Sequence, residues 1–484
     1  MKSYKPYQVA VIVLGLFLCF LGRFLPLSPT LSPSGTQVLM IMAGGLLMWL
    51  LVGVDWSSLA VILALALIPE LGMGKVSAGT LGNSTVFYLM LCFMLAKSLQ
   101  ATGVAHRLAV WFLTSSFSRK GAWCTIAMIF VSIFVLSSGL SSSSTIMIFL
   151  PILYEIFESL GYQKGKGDAF PAVMIASLAI ICQIAQATTP ISHAMTLIGF
   201  SSYNSYTGNT MEFGQYVMVA MPVGVLTAVA WFFVCRFIWK PDVSRLTKLD
   251  YDAIKGNEGP LTLEEKIAAA VYLTVVILWL APGISKYIAP AAYPLLNKIH
   301  QCYPPIVGII LLHFIKVDHK PVLSYKDAIS AVPLSTLLFM GALLELGTAL
   351  ANEDIGVSAW LSDTMGVFFG GVSPLMFVII LGALSVILTN FMSNAVTCAI
   401  CMAIGMPLAM GIYNGLVSPI VLAIMITIGI NFAFATAPAT PPVAIAADSG
   451  WISAGKLFQY GMVAAIVGIV IMAVVGIPIA GFVS

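Results

Sequence analysis

The sequence predicts an all-α protein that crosses a membrane many times. Three observations point there: its composition, its succession of long apolar runs, and a pattern of hydroxyl clusters that occurs twice. Of 484 residues, 60% are hydrophobic and only 8% charged, whereas soluble chains carry about 25% charged residues. No soluble interior hides that much apolar surface. A formal net charge of +3 gives no sign of a nucleic-acid partner. Six of the eight cysteines are scattered singly; Cys398 and Cys401 have CxxC spacing but lie in an apolar run without further ligands. They read as small core residues, and neither a metal centre nor a cofactor is expected.

A spanning helix needs about 20 mostly apolar residues. Such runs lie at 8–26, 36–54, 57–70, 82–102, 169–200, 214–240, 264–282, 303–316, 331–352, 416–447 and 456–482. The first has no small-residue cleavage site, so it reads as a span and not as a cleaved signal. Two further apolar stretches, 121–158 and 371–412, are interrupted by hydroxyl and amide residues. Such backbone is tolerated at membrane depth only where it is buried in protein or lines a cavity. Both are therefore expected to be re-entrant hairpins, leaving eleven crossings and termini on opposite faces. Basic residues orient the chain. With the N-terminus cytoplasmic, Lys2, Lys5, Arg119, Lys120, Lys164, Lys166 and most others fall inside, while the outer segments carry Arg23, Lys75, Lys286 and Lys298, as the positive-inside rule requires. The charged stretch 240–266 reads as a cytoplasmic linker near the middle of the chain. Lys97 and Glu345, inside apolar runs, are expected to snorkel to the interface or to be paired.

The two halves resemble each other. Thr102-Gly103-Val104-Ala105 matches Ile355-Gly356-Val357-Ser358. Ser141-Ser142-Ser143-Ser144-Thr145 is matched 252 positions later by Ser393-Asn394-Ala395-Val396-Thr397, and Thr188-Thr189-Pro190 is matched 251 positions later by Ala439-Thr440-Pro441. Three matches in one order at nearly one offset indicate duplication. A unit of five crossings must have its copy upside down, so the hairpins open to opposite faces and their tips, Ser137–Thr145 and Thr389–Thr397, meet near the midplane.

Proline disrupts the helix before it, so Pro190 and Pro441-Pro442 should break their spans. Each break, and each hairpin tip, then starts a new helix whose N-terminus carries unpaired N–H groups and about half a positive charge. Several such ends converging make an anion site without Arg or Lys. Hydroxyls and the Asn394 amide would add directional hydrogen bonds. A lone Ser in a membrane helix commonly caps a break or joins helices; two symmetric clusters beside two symmetric breaks favour a ligand.

With these motifs the chain resembles the divalent anion:sodium symporter family, the INDY-type dicarboxylate transporters, over nearly its whole length. The resemblance implies scaffold helices at 1–118 and 267–369. It implies an elevator-type transport domain from 119–239 (cytoplasmic-side hairpin 121–158) and 370–484 (outer-side hairpin 371–412), with 240–266 as the cytoplasmic linker. It implies a homodimer in a bacterial inner (plasma) membrane, with the C-terminus outside, that moves succinate, malate or 2-oxoglutarate. Substrate contacts carry over to Ser142, Ser143, Ser393, Asn394, Ala395, Thr189, Pro190, Thr440 and Pro441. Ser137, Ser141, Thr188, Thr389, Met392 and Ala439 fall at positions matching sodium sites. The departures are informative: the first tip lacks the family's Asn and Thr, the second lacks its Thr, and Pro442-Val443 stands where Pro-Asn is usual. His193 beside the first break is a candidate substitute for the cation's charge. Some branches exchange dicarboxylates without sodium, and the altered motifs favour exchange here over sodium-coupled dicarboxylate or citrate symport. No GxSxG, HExxH or acidic metal-ligand motif supports an enzyme. An anion channel, the remaining class, would line a continuous pore, which paired inverted hairpins do not suggest.

Overall fold

The side chains of Ser32, Asn83, Ser141, Thr262, Ser373 and Ser453 each accept a hydrogen bond from a backbone N–H two or three residues on, and a helix follows each one. These caps satisfy donors that would otherwise be left unpaired in an apolar setting. The structure is a computed structural model and describes residues 4–25, 27–191, 194–255, 259–437 and 439–483. The first half comprises α1 (Pro6–Leu21), α2 (Pro33–Leu51), α3 (Asp55–Ala66), α4 (Gly72–Gly79), α5 (Ser84–Ala101), α6 (Val104–Leu113), α7 (Ala122–Gly139), α8 (Ser142–Ser159), α9 (Ala169–Gln186), α10 (Ala194–Thr207) and α11 (Phe213–Val234). A short α12 (Tyr251–Lys255) lies in the linker. The second half contains α13 (Leu263–Ile288), α14 (Tyr293–Leu296), α15 (Tyr303–Phe314), α16 (Tyr325–Ser330), α17 (Leu334–Ala351), α18 (Val357–Phe369), α19 (Pro374–Thr389), α20 (Asn394–Met410), α21 (Pro419–Gly429), α22 (Pro441–Asp448), α23 (Ala454–Ile471) and α24 (Ile477–Val483).

The chain is a helical polytopic membrane protein. Among the described residues, eight helical runs are long and apolar enough to cross a membrane. α3, α15 and α21, expected as parts of crossings, are only 11 or 12 residues long. At 1.5 Å per residue each covers about 18 Å of an apolar layer of about 30 Å. α18 and α19 meet at 106°.

The element order α5 to α11 recurs as α17 to α23, and both series end in a π-helical turn, Cys235–Trp239 and Met472–Gly476. The glycines matched by sequence, Gly103 and Gly356, cap α6 and α18 at φ 84° and 77°. That left-handed region strains any residue with a Cβ. α9, α20 and α21 form the centre; from Phe170 to Gln186 every residue of α9 is buried. α1 fully buries only Gly15 and Cys19, packs on α2 through residues that include Leu16 and Phe20, and exposes Val13, Leu14, Phe17 and Leu21.

Two ion pairs help to tie the linker down. Arg107 Nε lies 2.6 Å from Glu265 Oε1, and Arg119 Nη2 lies 2.6 Å from Asp252 Oδ1. The hydrogen bond from Arg119 holds the Asp252 carboxyl below its usual range.

The two intramembrane charges depart from expectation. Lys97 is half-buried towards the end of α5. Glu345 neither snorkels nor pairs. It lies inside α17, is 3% exposed, and has no hydrogen bond or ion pair among the described residues. The surrounding protein, not the helix end, sets its depth.

Candidate functional site

The first hairpin turns over at Leu140-Ser141. Ser141 Oγ caps α8 by accepting from Ser144 N at 3.2 Å and lies 2.8 Å from Ser144 Oγ. Gln100 of α5 donates to Ser144 Oγ at 2.8 Å, and the Tyr272 hydroxyl of α13 donates to Gly139 O. The tip also meets the first break. Ser138 Oγ lies 3.2 Å from Thr188 Oγ1, and Thr189 Oγ1 donates to Ser138 O at 2.5 Å. Tyr216 of α11 holds the break itself by donating to Ala187 O at 2.6 Å. Ser137, Ser142, Thr188, Thr189 and Pro190 are buried, whereas Ser143 faces outward. Ser143 is thus the one expected contact of this tip that points away from the rest.

At the second tip Thr389 Oγ1 lies 2.8 Å from both Ile430 O and Asn394 Oδ1. Asn394 and Ala395 are buried at the start of α20, with Ser393 and Met392 half-buried before it. The second break differs from the expected one. Helix α21 stops at Gly429, and residues 430–437 and 439–440 are not helical before Pro441 and Pro442 open α22. Proline suits the first helical turn, where its missing N–H costs nothing, so the pair starts a helix and does not interrupt one. Pro441 is exposed there, while Thr440 and Ala439 are buried.

Asn390 escaped the sequence reading. Its Nδ2 donates to Val386 O at 2.7 Å and Phe432 O at 2.9 Å, and its Oδ1 accepts from Phe434 N and Ala435 N, both at 2.8 Å. Thr436 Oγ1 donates to Asn390 O, the bond that Thr189 makes to Ser138 in the first half. The geometric counterpart of Thr189 is therefore Thr436, not Thr440. A signal was present: Ala-Thr-x-Pro occurs at 187–190 and twice in the second half, at 435–438 and 439–442.

The halves interlock around these tips. α10 packs on α20 and α21, α22 packs on α8 and α9, and Asn431 Nδ2 donates to Thr196 Oγ1 at 3.3 Å. Among the described residues, four buried polar atoms in the tips and second break lack any oxygen or nitrogen partner: Ser137 Oγ, Asn394 Nδ2, Thr397 Oγ1 and Thr440 Oγ1. Unsatisfied buried groups are uncommon in folded proteins and call for an explanation, such as a bound ion, ligand or water; ten further such atoms are spread over the rest of the described residues. Clefts lie elsewhere. One of about 730 Å³ is bordered by Arg107, Trp111, Lys255 and Glu265, two of about 360 Å³ are lined by apolar helix surfaces, and one of about 340 Å³ is bordered by Asn204, Glu212 and His300. None of these includes a tip or break residue. His193 lies outside the described residues.

Capped helix turns and a helix break, interlocked within an apolar helical bundle, define a polytopic membrane protein. Residues 6–480 match the family described as sodium:sulfate symporter transmembrane region, and the chain belongs to that family of secondary transporters, the divalent anion:sodium symporter type. It is similar to the sodium-dependent dicarboxylate transporter SdcS of Staphylococcus saprophyticus, 26% identical over 81% of this chain and 76% of the relative. Two solved transporters share the fold. YdaH of Alcanivorax borkumensis is 12% identical with a TM-score of 0.54, over 84% of this chain and 88% of that one. MtrF of Neisseria gonorrhoeae is 14% identical with a TM-score of 0.56, over 98% and 95%.

Proposed function

We propose that this protein exchanges four- and five-carbon dicarboxylates, such as succinate, malate and 2-oxoglutarate, across the bacterial inner membrane. The observation that carries the reading is the set of unpartnered buried groups at Ser137, Asn394, Thr397 and Thr440, beside the N-termini of α8, α20 and α22. Helix ends and hydroxyls in a low-dielectric setting stabilise anions, and a site made from two opposed halves suits an acid with two carboxylates. Ser142, Thr189 and Asn394 bind substrate in this reading, with Ser393, Ala395 and Thr440 completing the helix ends. The two hairpins are re-entrant and open to opposite faces. α7–α11 and α19–α24 move as an elevator against scaffold helices α1–α6 and α13–α18 of a homodimer.

A second reading, sodium symport, is favoured by the name of the staphylococcal relative. In that case Ser137, Ser141, Thr188, Thr389, Met392 and Ala439 line the cation sites. Competition during uptake tests the substrate class: matched dicarboxylates should inhibit labelled succinate uptake strongly and lactate hardly at all. Equal inhibition by lactate and malate would overturn the dicarboxylate reading.

A further inference from the structure

Glu345 is a carboxyl group inside an apolar spanning helix, 3% exposed, with no donor or counter-charge among the described residues. Its surroundings are built closely around it. The carboxyl lies against Gly79 at the end of α4, where an added Cβ would stand 1.7 Å from Glu345 Oε2. One turn earlier, Gly341 meets Thr80 in the same tight manner. One turn later, Thr348 Oγ1 lies 3.1 Å from Ser205 Oγ of α10. Residues three and four apart share a helix face. Glu345 therefore sits between the α4–α5 turn and the surface on which α17 meets α10.

The elements packed against α17 supply no charge to balance it. They are α2, α3, α4, α5, α10, α18 and α20. Their only cations are Lys75 on α4 and Lys97 on α5. Lys75 is exposed and donates to Glu70 O at 3.0 Å, and Lys97 forms no ion pair with Glu345. The acids are Asp55 on α3 and Asp363 on α18, which would only repel. The remaining titratable groups are thiols and phenols, which bring no positive charge: Cys92 and Tyr88 on α5, Tyr203 and Tyr206 on α10, Cys398 and Cys401 on α20. An ionised carboxylate with so little access to water and no counter-charge is disfavoured, whereas a neutral carboxylic acid needs no counter-charge.

We propose that Glu345 is a proton-binding site of the carrier, occupied in this conformation and emptied when α10 slides away from α17 and opens the carboxyl to water. The proton comes from the aqueous phase and returns to it, and no other bond changes. The inference rests on the movement of transport domain against scaffold proposed above, but not on which anion is carried or on whether sodium takes part. The direction with pH follows. Deprotonation places a charge in an unpaired buried site, so rising pH depopulates this conformation, and with it any cycle that must pass through it.

The test uses the full chain purified into liposomes. Infrared difference spectra with rising pH should show loss of a neutral carboxyl band in the wild type, and that band should be absent from Glu345→Gln. Counterflow of labelled succinate is then followed between pH 7 and 9, above the free dicarboxylate's own titration. The wild-type rate should decline, approaching tenfold per pH unit, the limit for one proton, while Glu345→Gln, permanently neutral, holds a flat rate. Glu345→Asp, which keeps a carboxyl, should retain the decline and serves if the glutamine variant folds poorly. Persistence of the band in Glu345→Gln, or superimposable pH profiles for wild type and that variant, would overturn the proposal. Succinate counterflow at pH 7 reports separately on the substrate reading.

Discussion

Both donors and both acceptor positions of the Asn390 amide are used by backbone groups, whereas Asn394, one turn on, is buried with its Nδ2 unpartnered. An Asn has no further hydrogen-bonding capacity once two donors and two lone pairs are filled, so Asn390 holds the fold and Asn394 is free to hold a ligand. Substitution should separate the two. Asn390→Ala orphans the N–H groups of Phe434 and Ala435, at about 1–3 kcal/mol each, and should lower the melting temperature and the yield of folded protein. Asn394→Leu removes a donor to substrate. It should weaken transport by the equivalent of about 1–3 kcal/mol, while the protein is still recovered folded from membranes. Near-normal uptake by Asn394→Leu would exclude its role as a substrate donor. The difference explains what the sequence reveals. Asn394 was legible because it is the one amide within the two repeated motifs, 141–145 and 393–397. Asn390 was not, because its partners are main-chain atoms of residues 432–435, which no side-chain pattern announces. Glu345 was visible as a charge in an apolar run; its lack of a partner depends on neighbours distant in sequence.

Among elements, the irregular stretch 430–437 depends on close approach as much as on hydrogen bonds. Gly461 of α23 lies so near it that an added Cβ would stand 2.4 Å from both Ala435 Cα and Phe434 O. These are backbone atoms fixed by Asn390, so they cannot yield as a side-chain end would. Gly356 poses the opposite case: its φ of 77° disfavours a Cβ, but nothing lies within 4 Å of one. Gly356→Ala should cost about 1–2 kcal/mol of local strain and leave transport largely intact. Gly461→Ala should displace the second break and impair uptake out of proportion to its change in melting temperature. Equal effects of the two substitutions on uptake would show that α23 does not position the break. Most helix limits were readable to within a few residues, because apolar runs, Ser caps and glycines are local signals. The second break was misplaced because Pro441-Pro442 reads equally as the end of one helix or the start of the next. Only the packing of Gly461 and the bonds of Asn390 show that the chain has already left its helix at Gly429.

For the whole molecule, duplication ties the mechanism to charge. In the proposed site, helix N-termini of both halves converge, and neither tip nor break contains a Lys or Arg. In a sodium symporter the ions neutralise the substrate before the loaded domain crosses, and the emptied domain returns without either. Here Ser142, Ala395 and Val443 bring no charge to the proposed site. If fixed helix ends supply the positive potential, that potential is balanced only while an anion is bound. Moving it uncompensated through a low-dielectric barrier is costly. The carrier should therefore reorient readily when loaded and slowly when empty, which is the kinetic definition of obligatory exchange. A proton on Glu345 would not alter this, since it neutralises a carboxyl away from the tips and adds no charge to the anion site. Liposomes preloaded with 2-oxoglutarate should take up labelled dicarboxylate rapidly in potassium or choline buffer, and empty liposomes should take up almost none. Strong stimulation of uptake into empty liposomes by an inward sodium gradient would establish symport instead, and would assign Ser137 and Thr389 to cation binding.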